Sequence, residues 1–277
     1  MNVEATAEVS LREEYLHLIQ ESLIGALNLD RFRPVYHLEP WWFRPIRAFL
    51  DSHNLDLVCR VPVAERAVQR EGGIDSPLHA DTLIGRKRMQ NLRSCVESVL
   101  DNDVAGDFIE TGVWRGGACI YMRAILYVRG VTDRNVWVAD SFEGLPKPDT
   151  SYPADADDRY WMREDLRVSM EEVQQNFRKY GLLDDQVRFL KGWFKDTLPL
   201  APIEKLAILR LDGDMYSSTI EALNALYDRV SPGGYVIVDD YALKGAREAT
   251  DFFRRERGIS SPLHEIDWTG VYWQKSA

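Results

Sequence analysis

Two acid pairs close apolar runs late in the 277-residue chain, Leu211-Asp212-Gly213-Asp214 and Val238-Asp239-Asp240-Tyr241. If those runs are neighbouring strands, four carboxylates meet at one sheet edge. Such a cluster repels itself unless it is protonated or bound to a cation. A hard divalent ion held by oxygens resolves the repulsion, and carboxylate–water ligation favours Mg²⁺ over Zn²⁺. An earlier run ends in Glu110-Thr111-Gly112-Val113-Trp114-Arg115-Gly116-Gly117 and leads into a helical pattern. Glycines there let the backbone pass close to a ligand, and a helix N-terminus offers free N–H groups. The turn is not G-x-G-x-x-G, and its leading acid suits a ligand bearing a positive group, such as the amino end of S-adenosylmethionine. A second run ends in Asp140-Ser141, where an acid can accept bonds from two ribose hydroxyls of a nicotinamide or adenosyl cofactor. A third ends in Gly192-Trp193-Phe194, which brings flat apolar faces near an adenine.

These residues need a scaffold that gathers strand ends. Apolar runs at 107–111, 136–140, 187–190, 206–211 and 235–239 read as strands. Helix-length patterns at 117–128, 169–180 and 217–230 lie between them, Ser169 and Glu172 suiting a capping box. Strands alternating with helices imply an α/β, doubly wound, mostly parallel sheet, whose ligands bind outside the carboxyl ends of the strands. Two late runs, 264–266 and 271–273, suit a terminal pair. Upstream, Ser10 and Glu13 suit a capping box opening a helix that Gly25 or Asn28 stops, and another helix opens near Thr82. Residues 1–80 read as a helical N-terminal extension, a lid or an oligomer contact, and 81–277 as the catalytic domain. Residues 31–45 read as an irregular aromatic loop around Trp41 and Trp42, and 149–165 as an acidic, turn-rich, mobile segment. Both 31–55 and 149–165 are candidate lids.

Composition removes other classes. Against 34 Lys+Arg stand 44 Asp+Glu, a net charge of −10, which argues against nucleic-acid or anionic-membrane partners. Three cysteines without C-x-x-C spacing exclude a disulfide framework and a thiolate zinc site. No secretory signal opens the chain and no run reaches the ~18 apolar residues of a membrane span, so a reducing cytoplasm is expected. The five histidines show no ligand spacing, and no G-x-S-x-G elbow occurs.

The chain resembles the TylF (macrocin) O-methyltransferases, which methylate sugar hydroxyls of glycosylated natural products. The resembling stretches begin with Glu110-Thr-Gly-Val-Trp-Arg-Gly-Gly-Ala-Cys119, Val136-Trp-Val-Ala-Asp-Ser-Phe142 and Tyr180-Gly-Leu-Leu-Asp-Asp-Gln-Val-Arg-Phe-Leu190. They continue through Gly192-Trp-Phe-Lys-Asp-Thr197, Leu211-Asp-Gly-Asp214, Ser231-Pro-Gly-Gly234, Asp239-Asp-Tyr241 and Gly270-Val-Tyr-Trp273, spanning roughly 80–275. The resemblance implies a class I, Rossmann-like methyltransferase fold of seven strands, the last antiparallel, with S-adenosylmethionine and Mg²⁺ as cofactors. By position it implies that Glu110, Thr111, Gly112, Val113, Trp114 and Ala118 line the methionine end. Asp140 and Ser141 would serve the ribose and adenine side, with Gly192 and Trp193 behind, and Gln174 matches a stretch near the cofactor. Asp212, Asp239 and Asp240 match metal ligands, and Asp212 is also the implied catalytic base, with Asp214 the alternative. The expected activity is Mg²⁺-dependent methylation of a sugar hydroxyl in antibiotic tailoring, on a small-molecule glycoside, by a homo-oligomer. A phenol or catechol O-methyltransferase and a D-x-D glycosyltransferase are the rival readings, and a non-enzymatic binding module is a third.

Overall fold

The computed structural model describes residues 3–28, 32–34, 41–55, 57–75 and 77–276. Helix α1 (Val3–Leu23) is followed by strand β1 (Phe32–Pro34), helix α2 (Arg44–Ser52), strand β2 (Val58–Arg60), helix α3 (Val63–Gly72) and helix α4 (Arg86–Asp101). Strand and helix then alternate: β3 (Asp107–Thr111), α5 (Gly117–Val128), β4 (Val136–Asp140), α6 (Met170–Lys179), β5 (Val187–Lys191), α7 (Phe194–Thr197), β6 (Leu206–Leu211), α8 (Tyr216–Leu226) and β7 (Val230–Val238). The chain closes with α9 (Lys244–Glu256), β8 (His264–Glu265) and β9 (Val271–Gln274).

Seven strands form one sheet in the order β5-β4-β3-β6-β7-β9-β8, and β1 and β2 pair separately. The strands from β5 to β7 run parallel, while β9 is antiparallel to both β7 and β8. This is the expected doubly wound sheet with its late pair. Side-chain alternation sends successive residues to two cores. Phe108, Val136, Val138 and Ile208 face the layer that contains α1, α4, α5 and α6. Ile109, Trp137, Leu209 and Val236 face the layer of α8 and α9. All six residues of β6 are buried, as a central parallel strand covered on both faces requires.

The described residues amend several sequence expectations. Helix α1 starts at Val3 rather than Ser10, whose hydroxyl instead reaches the Glu14 carboxylate at 3.3 Å on the exposed face. Gly25, at φ +71°, ends it with a 6→1 bond from the Ala26 N–H to the Glu21 carbonyl. Leu16, Leu23 and Ile24 belong to the same core as α5. The helix expected near Thr82 starts at Arg86, which leaves Thr82 and Leu83 free to line the central cavity. The stretch read as irregular contains β1, a 3-10 turn Trp41–Phe43 and the first two residues of α2, and Trp42 is exposed. Arg31, Tyr36, His37 and Pro40 lie outside the described residues. Helix α6 has its expected cap, with Ser169 Oγ accepting the Glu172 N–H at 3.2 Å. Cys95 and Cys119 are buried, and the three cysteines are unpaired. Among the described residues, no helix is long and apolar enough to cross a membrane.

Candidate active site

A cavity of about 910 Å³ opens over the carboxyl ends of the parallel strands. Adjacent strands β6 and β7 stop one residue short of Asp212 and Asp239, so both acid pairs arrive at the same edge. One oxygen from each of Asp212, Asp239 and Asp240 falls within 4.8 Å of the others. Three hard oxygen donors at that spacing fit a divalent cation with water completing its shell. Asp214 turns back at φ +59°, and its N–H donates to Asp240 Oδ2 at 3.0 Å.

Negative charge exceeds positive charge here. Arg210, 1% exposed, donates to Glu110, to Asp212 Oδ2 at 2.8 Å and to Asp239. Arg88 donates to the other oxygen of Asp239 and, through Nε, to Asp267 at 3.0 Å. Arg88 and Arg210 therefore stand among six acids, at positions 110, 212, 214, 239, 240 and 267. Burial, then the neighbouring Asp212 and Asp158, pushes Asp214 up to about 7. Burial, then Asp214 and Asp212, holds Asp240 well above the usual carboxylate range. Burial and Asp239 raise Asp212 as well. A cation bound among these groups would remove that repulsion.

The glycine turn contributes differently from what its composition suggests. The missing Cβ of Gly112 (φ +87°) would stand 1.8 Å from the Asp212 carbonyl oxygen. Those of Gly116 and Gly117 would strike Val173 Cγ1 and the Asp81 carbonyl. All three glycines are thus already required by contacts within the protein, and Gly112 lets the turn after β3 cross the backbone that carries Asp212. Glu110 lies between Arg210 and the Cys119 thiol, which donates to its Oε2 at 2.9 Å, and burial pushes its carboxyl up to about 7. Asp140 accepts the Val113 and Phe142 N–H groups at 2.8 and 2.7 Å, so it braces the turn it faces, and burial raises its carboxyl.

The cavity gathers Glu110, Gly112, Val113, Trp114, Asp140, Ser141, Gly192, Trp193, Asp212, Asp214, Asp239 and Asp240. Thr111, Ala118 and Gln174 do not line it. Thr111 and Ala118 are buried behind it, and Gln174 is half-buried on α6. Residues not singled out from the sequence join the wall. Arg88 comes from α4, and Tyr152, Tyr160 and Arg163 come from the acidic segment. That segment is tied down by Asp155, whose carboxylate accepts the Tyr216 and Ser217 N–H groups at 2.7 and 2.9 Å and so caps α8. Arg210 had a legible signal, a lone charge inside the apolar run Leu206–Leu211. Arg88 had none, because Arg86-Lys87-Arg88 reads as a solvated basic face.

The profile of the macrocin-O-methyltransferase (TylF) family matches residues 12–275, beginning well before the stretches on which the resemblance rested. The chain belongs to that family. Mycinamicin III 3''-O-methyltransferase of Micromonospora griseorubida is 53% identical over 82% of this chain and 90% of its own length. The 8-demethyl-8-(2,3-dimethoxy-alpha-L-rhamnosyl)-tetracenomycin-C 4'-O-methyltransferase of Streptomyces olivaceus is 55% identical over 74% of this chain and 79% of its own. Among solved structures, the O-methyltransferase NovP superposes with a TM-score of 0.82 at 46% identity, covering 96% of this chain and all of NovP. The macrocin-type chain described here is accordingly an S-adenosylmethionine-dependent O-methyltransferase with the class I fold.

Proposed function

We propose that the enzyme methylates a hydroxyl of a sugar on a glycosylated natural product, as an antibiotic-tailoring step, with Mg²⁺ held by Asp212, Asp239 and Asp240. The observation that carries the reading is the convergence of those three oxygens beside an excess of carboxylate charge. The relatives' names support the substrate class, one specifying a rhamnosyl-bearing tetracenomycin and another mycinamicin III. When bound, S-adenosylmethionine supplies a methyl group on a sulfonium that loses its positive charge as an oxygen attacks. Glu110, Gly112, Val113 and Trp114, which line the cavity, are assigned to its methionine end, with Thr111 and Ala118 packed behind them. Asp140, Ser141, Gly192 and Trp193, which line the cavity, are assigned to its nucleoside side. A divalent ion at the acids would make an adjacent sugar hydroxyl more acidic.

The protein's own groups then have defined tasks. Asp212 accepts the hydroxyl proton, and its tie to Arg210 at 2.8 Å fixes the direction of its free lone pairs. Asp239 is clamped from both sides by Arg88 and Arg210, so its carboxylate cannot rotate away when charge shifts nearby. Trp114, Tyr160 and Trp193 narrow the cavity and limit water. The subunits of a homo-oligomer carry one such site each.

Calorimetric titration tests the reading. S-adenosylmethionine should bind without metal, and a glycoside carrying a vicinal diol should bind only with Mg²⁺. Asp212→Asn should keep cofactor binding and lower kcat by about 10²–10⁴-fold, the usual worth of a positioned base. Full turnover in excess chelator would overturn the metal assignment. Methylation of catechols but not of glycosides would transfer the chain to the phenol-directed reading.

A further inference from the structure

The sheet order sets a direction across the cavity. Glu110, Asp140 and Gly192 stand over β3, β4 and β5, and the acids stand over β6 and β7. In the sheet the β9–β8 side lies beyond the acids, and the turn between those two strands borders the half of the cavity opposite the residues assigned to the nucleoside. That turn carries Trp268, which lines the cavity although it is 58% exposed. Its Nε1–H donates to the Gly72 carbonyl at 2.8 Å, which satisfies its polar atom while more than half of the residue stays open to solvent. Ile74 also lines the cavity and is also 58% exposed. The two side chains flank one point, because a Cβ on Gly72 would meet Ile74 Cγ2 and Trp268 Cδ1, both at 3.8 Å. Together they make an apolar shelf at the cavity mouth.

The shelf is fixed to the catalytic acids. Asp267 accepts the Thr269 and Gly270 N–H groups at 3.0 and 2.9 Å, which holds the turn, and it pairs with Arg88, itself paired with Asp239. Thr269 Oγ1 donates to the Asp239 carbonyl at 3.0 Å. A surface tryptophan held this firmly has lost its side-chain freedom in advance, so contact with it costs a ligand little further ordering. Its position outside the acids means that the sugar lies inside and the group attached to the sugar lies on the indole.

We infer that Ile74 and Trp268 form the subsite for the apolar aglycone of the acceptor glycoside. The inference rests on the sugar-directed reading above and deepens it. Ring C–H edges of an aglycone meet the electron-rich indole face, and its remaining apolar surface covers Ile74.

The test uses the full chain with two acceptors, mycinamicin III and the rhamnosyl tetracenomycin named above, each paired with the methyl glycoside of its own sugar. The quantity read is the ratio of kcat/KM for the glycoside to that for its methyl glycoside. Wild type should favour the intact glycoside, chiefly through KM. Trp268→Ala and Ile74→Ala should each lower the ratio, by about tenfold and threefold, and Trp268→Phe should restore most of it. S-adenosylmethionine affinity within twofold of wild type verifies that each variant is folded. A ratio unchanged in both alanine variants, or equal losses on both members of a pair, overturns the shelf alone. Wild-type turnover of catechols but of none of the glycosides overturns the sugar-directed reading and the shelf with it. An exposed shelf covered by a second copy of the chain would show as variants that alter sedimentation but not the ratio, and would equally overturn it.

Discussion

Arg210 is the residue on which the acid cluster depends, and replacing it with Met isolates that dependence. Its side chain is 1% exposed and serves three carboxylates, of which Glu110 and Asp239 are themselves 3% and 4% exposed. Asp239 keeps Arg88 in the variant, and Asp212, at 27%, can turn to water. The loss therefore concentrates on Glu110, which is left with the Cys119 thiol as its only donor among those described. Leaving one buried charge without its partner costs about 3–5 kcal/mol. At about 2–4 °C per kcal/mol for a chain of this size, the melting temperature should fall on the order of 6–20 °C. The gap must also depend on pH. Arg210 lowers the Glu110 carboxyl, which burial nevertheless brings to about 7, so its removal drives that carboxyl higher. At pH 5.5 Glu110 is protonated in both proteins, and the penalty shrinks by about 1.4 kcal/mol for each pKa unit gained. Urea unfolding of the metal-free chain at pH 5.5 and 8 measures both numbers. Adding Glu110→Gln should return a large part of the pH 8 loss, a coupling typical of directly paired groups. A variant within 1 kcal/mol of wild type at both pH values would refute the reasoning.

Three other outcomes are expected. Gly112→Ala drives a methyl into the Asp212 carbonyl at a backbone angle of +87°, so it should lower stability by at least ~1–3 kcal/mol and weaken divalent-ion binding; an unchanged melt would sink the crossing argument. Asp155→Ala strips two N–H groups at the start of α8 of their acceptor and should cost about 1–2 kcal/mol by urea unfolding, with faster hydrogen exchange at Tyr216 and Ser217. Glu110 sits at about 7 in the folded chain against an ordinary 4.5, so the native state holds its proton longer than the unfolded state does. Its stabilising contribution is full below pH 4.5 and is lost as pH rises through 7. Glu110→Gln should flatten that decline in a pH series of urea midpoints, and identical slopes would contradict it.

The parallel half of the fold was legible because its strands obey one strong rule. A strand covered on both faces is nearly continuously apolar, and Leu206–Leu211, interrupted by Arg210 alone, fits that pattern at strand length. Helix α9 escaped notice because its buried face is Ala246, Ala249, Thr250 and Phe253, three of them small, amid seven charged residues. Strand β7 begins at Val230 rather than 235, since Ser231-Pro-Gly-Gly234 carries every sign of a turn. Those breakers are tolerated at a register shift opposite Leu206 and Ile208, where Gly233 N–H and Gly234 C=O are satisfied by Lys275.

The site divides along a similar line. Acids at strand ends could be found one strand at a time, because topology alone carries them to a common edge. What neutralises and orients them is a different kind of information. Arg88 comes from α4, more than a hundred residues before Asp239, and its pairing with Asp239 and Asp267 is a tertiary fact with no local pattern. Trp268 reaches the mouth because Asp267 shapes its turn, Gly72 accepts its N–H and Thr269 anchors it to Asp239. The Asp267 turn is local, but the Gly72 and Asp239 contacts span 196 and 30 residues, beyond what a helix or strand period can reveal. The proposed metal chemistry sits in the legible acids. The device that fits the site to a particular acceptor sits in contacts among three distant segments, which is why Ile74 and Trp268 are the positions where acceptor choice should change under substitution while the acids stay fixed.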